Sequence, residues 1–188
     1  AKIFEEMYPF IKGRVEVFHN YIPINYYKSL PDGDETVFIR GTDATLVSVS
    51  RLDPLKGIEL AIQACRILVD KGKDIRWYVL GDGVHRSKVQ SLIEDANLER
   101  YFILLGFQEN VPWYIRRSDI FVHSSRSEGK SNAVDEALFY KVPVVVTDYP
   151  TVGDQIQHNY NGLVCAMNGE EIAKAIEKLL EEPELRNR

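Results

Sequence analysis

The chain has 188 residues, 45% of them hydrophobic, with 23 basic against 28 acidic side chains and a net charge of −5. That size and apolar content suit one well-buried globular domain, and the scattered Lys and Arg argue against long nucleic acid or an anionic membrane surface as a direct partner. No apolar run approaches the roughly 20 residues that span a bilayer, and neither a signal peptide nor a disulfide framework is suggested by the first residues or the two cysteines, so a reducing cytoplasm is the expected setting.

Residues 1 to 43 are punctuated by Pro9, Pro23, Pro31, Gly33 and Gly41 and hold only short apolar pieces such as Val15–Phe18 and Val37–Ile39. They read as a connecting segment packed on the edge of a domain that occupies 44–188. From Ala44 onward, short β-rich runs alternate with amphipathic stretches. Thr45–Ser50 is a predicted strand, followed by a helix through Ile58, Ala61, Ile62, Cys65, Leu68 and Val69. Ile75–Leu80 leads into a helix from His85 to about Ala96, and Phe102–Leu105 into a short helix near Pro112–Arg117. Ile120–His123 precedes a helix through Ala133, Val134, Ala137 and Leu138, and Val142–Thr147 precedes a brief turn-helix around Val152–Gln157. Leu163–Cys165 and a helix through Ile172, Ala175, Ile176, Leu179 and Leu180 complete the series; the run Leu180–Arg188 looks like a cut rather than a finished terminus.

Strands that are apolar without polar alternation are buried on both faces, and regular βα alternation implies right-handed crossovers. The expected fold is α/β: a doubly wound, Rossmann-like parallel sheet of about six strands with helices on both faces. Ligands of such sheets sit beyond the strand C-termini. The loops Arg51–Gly57, Gly81–Gly83 and Ser124–Asn132 should therefore converge on one crevice.

Within the third loop, Glu128 lies in a strand-to-helix turn and Glu136 lies eight positions later, inside the helix. The backbone amides of Gly129 to Ala133 occupy the helix start, where donors lack internal partners and the dipole favours an anion such as a diphosphate. Gly81 and Gly83 permit a close backbone approach, but Arg86 stands where a dinucleotide fingerprint needs its third glycine, which argues against an NAD enzyme. His19, His85 and His158 have no metal-ligand spacing with Cys or carboxylates, so no metal site is expected. His123, at the end of a strand, reads as a satisfied core or loop residue.

Four pieces in order carry a resemblance: Ser50-Arg51-Leu52-Asp53-Pro54-Leu55-Lys56-Gly57; Leu80-Gly81-Asp82-Gly83; Leu105-Gly106-Phe107 with Ser118-Asp119; and Glu128-x7-Glu136-Ala137 with Val142-Pro143-Val144. Together they resemble the C-terminal, donor-binding domain of retaining glycosyltransferases with the two-domain GT-B fold, family 4, over about residues 14 to 182. The resemblance implies that the chain binds a nucleoside diphosphate sugar, as UDP- or GDP-sugar, and needs no cofactor. It implies transfer of a hexosyl unit to an acceptor hydroxyl in cell-surface polysaccharide or glycolipid biosynthesis.

Carried over residue by residue, Arg51 and Lys56 would bind the donor diphosphate and Glu128 would lie at the donor sugar with catalytic weight. Glu136 would accept the ribose hydroxyls, and Gly81, Gly129, Lys130, Ser131, Asn132 and Ala133 would line the donor. Many relatives have Phe-Gly or Leu-Pro where this chain has Lys130-Ser131-Asn132, which leaves the sugar open. The family's acceptor site belongs to a separate N-terminal domain, absent here, so the isolated domain is expected to be inactive and membrane contact indirect, at the inner face. A sugar-nucleotide epimerase of the same fold and a non-catalytic nucleotide-sugar-binding module are the rival readings.

Overall fold

In a computed structural model of the chain, the described residues are 2–14, 23–30, 32, 35–38 and 41–186. The leading part contributes helices α1 (Lys2–Met7) and α2 (Ile24–Ser29), which the proline-rich sequence did not announce. Of the two apolar pieces noted there, Val15–Phe18 and Ile39 lie outside the described residues. Phe38 stacks on Trp113 with centroids 5.6 Å apart and meets Tyr78 edge-on at 5.0 Å.

Six strands follow: β1 (Ala44–Val49), β2 (Ile75–Leu80), β3 (Phe102–Gly106), β4 (Ile120–His123), β5 (Val144–Thr147) and β6 (Leu163–Cys165). They form one sheet in the order β3-β2-β1-β4-β5-β6, every pairing parallel. Between them run α3 (Ile58–Asp70), α4 (Arg86–Asp95), α5 (Val111–Ile115) and α6 (Asn132–Phe139); α7 (Gly169–Glu181) follows β6, and α8 (Pro183–Arg186) closes the described chain. The doubly wound parallel sheet expected from the sequence is thus the observed fold. Most boundaries shift by a residue or two; β5 starts at Val144 rather than Val142, because Lys141 turns with φ 56 and Pro143 lacks an N–H for the ladder. The turn-helix near Val152 is a single 3-10 turn, Val152–Asp154.

Alternate residues of each strand supply two cores. Leu46, Trp77, Val79, Ile120, Val122 and Val145 face α3, α4 and α7, while Val47, Tyr78, Leu80, Phe121 and Val144 face α5 and α6. Burial on both faces explains why the strands read as unbroken apolar runs. One polar rung crosses this interior: the Trp77 indole donates to Ser48 Oγ at 2.9 Å, and Ser48 Oγ donates to the Val122 carbonyl at 2.7 Å, linking β2, β1 and β4.

The winding reverses between β1 and β4, so the crevice opens where their C-terminal ends diverge. The residues after those two strands are 50–57 and 124–131. Gly81, at the end of β2, has φ +128, and a Cβ there would stand 2.0 Å from the Ser50 carbonyl oxygen. Only glycine permits that contact, which sets the β2 loop against the start of the β1 loop. No helix among the described residues is long and apolar enough to cross a membrane.

Candidate functional site

The loop after β1 is shaped by its own residues. Asp53 accepts from the Leu55 amide at 3.0 Å and caps the 3-10 turn Pro54–Lys56. Gly57 then takes the left-handed conformation, φ 58, that starts α3. A Cβ on Gly57 would stand 2.2 Å from the Ser124 carbonyl oxygen, so the loops after β1 and β4 touch backbone to backbone. Three bonds stitch them: Ser124 Oγ to the Lys56 carbonyl at 3.0 Å, Ser125 Oγ to the Leu55 carbonyl at 3.0 Å, and the Arg126 amide to the Leu55 carbonyl at 2.7 Å.

This seam brings Lys56 Nζ to 2.6 Å from Glu128 Oε1, in a pair only 16% and 12% exposed. His123 Nε2 lies 3.0 Å from the same oxygen. An ionised carboxylate only accepts, so the imidazole hydrogen of this contact sits on Nε2. Burial alone would raise the Glu128 pKa, but the bonds from His123 and Lys56 outweigh it and hold the carboxyl down to about 2. Arg51 projects from the same loop with its side chain 77% exposed and 3.4 Å from Asp53.

The turn before α6 is braced from the segment that follows β5. Thr151 Oγ1 donates to the Glu128 carbonyl at 2.7 Å. The Gln155 amide group receives the Ser131 N–H at 2.9 Å and donates to the Ser131 carbonyl and Asp135 Oδ1, each at 2.8 Å. Ser131 caps α6 through the Val134 amide, and Lys130 pairs with Asp135 at 2.8 Å. Of the amides grouped by sequence as an anion cradle, that of Ser131 is therefore engaged by Gln155, and the Lys130 cation turns back onto the first turn of α6. Gly129 has nothing within 4 Å of where a Cβ would stand. Asn132 and Ala133 open α6 itself.

Glu136 sits in an opposite setting. It is 7% exposed, and the Tyr27 hydroxyl, carried by α2, donates to its Oε1 at 2.5 Å. Burial raises its pKa, only partly countered by that bond, and burial together with Glu136 pushes the Tyr27 phenol above its ordinary range. A cavity of about 280 Å³ lies beside this contact, lined by Tyr27, Lys28, Asn110, Trp113, Arg116 and Tyr140.

The structure thus joins Lys56 and Glu128 directly, keeps Arg51 and Gly81 on the adjoining loops, and sets Gly129 to Ala133 at the α6 start. Glu136 is turned toward α2. Sequence reasoning missed His123, Gln155 and Tyr27. The first ended a buried strand five residues ahead of Glu128, a signal that was available; the other two reach the site across long sequence separations that no local pattern records. No group of three His, Cys, Asp or Glu among the described residues is placed to hold a metal ion. Chemically, the arrangement offers two basic side chains, a helix start and a carboxylate kept ionised, a set suited to an anionic ligand with hydroxyl groups.

The family model for glycosyl transferases group 1 matches residues 34–188. An uncharacterized glycosyltransferase of Methanocaldococcus jannaschii is 29% identical over 175 residues, 86% of this chain and 43% of that protein. The N-acetylgalactosamine-N,N'-diacetylbacillosaminyl-diphospho-undecaprenol 4-alpha-N-acetylgalactosaminyltransferase of Campylobacter jejuni is 32% identical over 146 residues, 77% of this chain and 39% of that protein. Among solved structures, a mutant of S. aureus TarM in complex with fondaparinux, alpha-GlcNAc-glycerol and UDP superposes with a TM-score of 0.72 at 30% identity, covering 78% of this chain and 30% of that one. The chain therefore spans less than half the length of each of these proteins.

Proposed function

This chain belongs to the family of glycosyl transferases group 1 and has the Rossmann-like fold of GT-B glycosyltransferases, and on that premise we propose that it is the donor-binding half of a retaining, family 4 hexosyltransferase. The donor is a nucleoside diphosphate sugar, UDP- or GDP-linked, and the acceptor is a hydroxyl in cell-surface polysaccharide or glycolipid assembly. Residues 44–188 form the donor domain, 1–43 connect it, and a separate domain of the full-length protein presents the acceptor. The setting is the cytoplasm, at most peripheral to the inner membrane face.

The observation that supports this most is the Lys56–Glu128 contact, which seats a cation and an ionised carboxylate together at the switch point of the sheet, ahead of α6. In the reaction the bond from the anomeric carbon to the diphosphate oxygen breaks, and its electron pair goes to the diphosphate. The acceptor oxygen bonds the anomeric carbon on the same face, and its proton passes to the departing diphosphate oxygen. Arg51, Lys56 and the amides at the α6 start stabilise the growing phosphate charge; one preorganised donor of this kind contributes about 2.7–4 kcal/mol in a closed site. Glu128 lies against the sugar, Glu136 takes the ribose hydroxyls, and Gly81 with Gly129 to Ala133 lines the donor.

The test is calorimetric titration of the chain with UDP, GDP and ADP, their sugars and the free nucleosides, followed by transfer assays on the full-length protein. Binding of one nucleotide family is expected, with Arg51→Ala weakening diphosphate binding more than nucleoside binding. Equal losses for both would remove the phosphate role of Arg51, and epimerised nucleotide sugar in place of a glycosylated acceptor would overturn the transferase reading.

A further inference from the structure

We propose that His123 is a positioning residue of the donor site: its imidazole holds the Glu128 carboxylate toward the sugar when Lys56 turns from Glu128 to the diphosphate. The inference rests on the donor-binding reading above and adds a residue to it. His123 closes β4 and is 4% exposed, flanked by Phe121 at 6.4 Å in a near-parallel arrangement and by Tyr149 edge-on at 5.9 Å. Those rings and the strand backbone fix the imidazole plane. The Thr147 hydroxyl adds a bond to the His123 carbonyl at 3.3 Å.

Both donors act on one oxygen of Glu128, yet they differ in kind. Lys56 is a point charge on a flexible four-carbon stem, readily drawn to a ligand that carries two phosphates. The imidazole is rigid and stays on its strand. With Lys56 withdrawn, Glu128 is still held by the protein: its Oε1 by His123, its side chain also by the Ser125 hydroxyl, and its backbone carbonyl by Thr151 at 2.7 Å. The second carboxylate oxygen is then directed by the protein rather than by the ligand. A purely packing role for this position would be met equally well by another apolar residue between Phe121 and Tyr149, because the sheet needs nothing from Nε2.

The experiment compares UDP with UDP-glucose, and GDP with GDP-mannose, by calorimetry on the full chain as wild type, His123→Phe and His123→Gln. His123→Phe keeps the ring in the core and deletes the donor; His123→Gln restores an N–H near Nε2. For the nucleotide that the wild type binds, the added affinity conferred by the sugar is expected to fall about tenfold in His123→Phe, the effect of losing one bond to a charged group. Nucleotide affinity should change less than the sugar increment, and His123→Gln should recover most of that increment. A sugar increment that survives His123→Phe, equal losses for nucleotide and nucleotide sugar in a protein with a wild-type melting curve, or no recovery in His123→Gln would each overturn the proposal. Absence of any nucleotide binding by the wild type would instead sink the donor-site reading, and this inference with it.

Discussion

Glu128 and Glu136 stand eight positions apart along one turn and helix, and the fold treats them in opposite ways. Glu128 has an ammonium and an imidazole N–H on one oxygen and is held down to about 2. Glu136 is more deeply buried, its described bond comes from the Tyr27 phenol, and its pKa is raised. Two identical side chains thus acquire different charge behaviour from what the neighbouring loops bring to them. One is built to stay ionised; in the other, burial opposes the charge and the Tyr27 phenol only partly offsets it.

The contrast depends on contact between the loops after β1 and β4, so the most damaging change is one that separates them. Gly57→Ala forces a Cβ into the Ser124 carbonyl and into a left-handed backbone. It is expected to destabilise the chain by about 3 kcal/mol or more, read as a shift of the urea midpoint. Lys56→Met comes next. Removing one partner of a buried ion pair costs about 3–5 kcal/mol, but partial exposure and the remaining His123 bond bring the expected loss to about 2–3 kcal/mol. The double variant with Glu128→Gln should lose less than the sum of the single losses, and simple additivity would mean that the pair carries no coupling.

Acidity separates the two carboxylates directly. The Glu128 pKa is lowered from an ordinary 4.5 to about 2, so its contribution to stability is present above pH 4.5 and disappears as the pH falls through that window. The Glu136 pKa is raised, so what it contributes is present below its unfolded value and is lost as the pH rises through its folded one. Urea unfolding of wild type against Glu128→Gln should show a stability difference that shrinks toward low pH, and against Glu136→Gln one that moves against the wild type as the pH rises. Parallel curves for the two variants would erase the distinction. The smallest expected effect is that of Tyr27→Phe, about 1 kcal/mol, because the phenol is only partly buried. It should also move the Glu136 titration further upward, detectable by carboxyl carbon NMR.

The sheet was legible because its strands are buried on both faces. Runs such as Ile75–Leu80 could be nothing else between two amphipathic stretches, and the βα rhythm then left little choice of winding. The meeting of the loops that carry Lys56 and Glu128 was legible because each loop follows a strand at the end where loops of this fold gather. The partners of those residues were not. His123 reads by sequence as a satisfied core or loop residue, and it is buried; its place at a strand end five residues ahead of Glu128 is the one local sign of the bond it makes. Tyr27 meets Glu136 across 109 positions, through an α2 that Pro23 and its surroundings gave no periodic reason to expect. Gln155 sits in a turn whose shape depends on tertiary contacts with Ser131 and Asp135.

The Ser48 hydroxyl, set between the Trp77 indole and the Val122 carbonyl, is a mechanical part of the sheet. It ties the two strands on either side of the reversal to a third, three residues below Arg51 on one side and one residue below His123 on the other. Any sliding of one central strand past its neighbour would have to tear that tie and strand an indole hydrogen in oil. The alignment of the two rims is therefore geared from inside the sheet, and a methyl in place of one buried oxygen would detune it without touching the mouth itself.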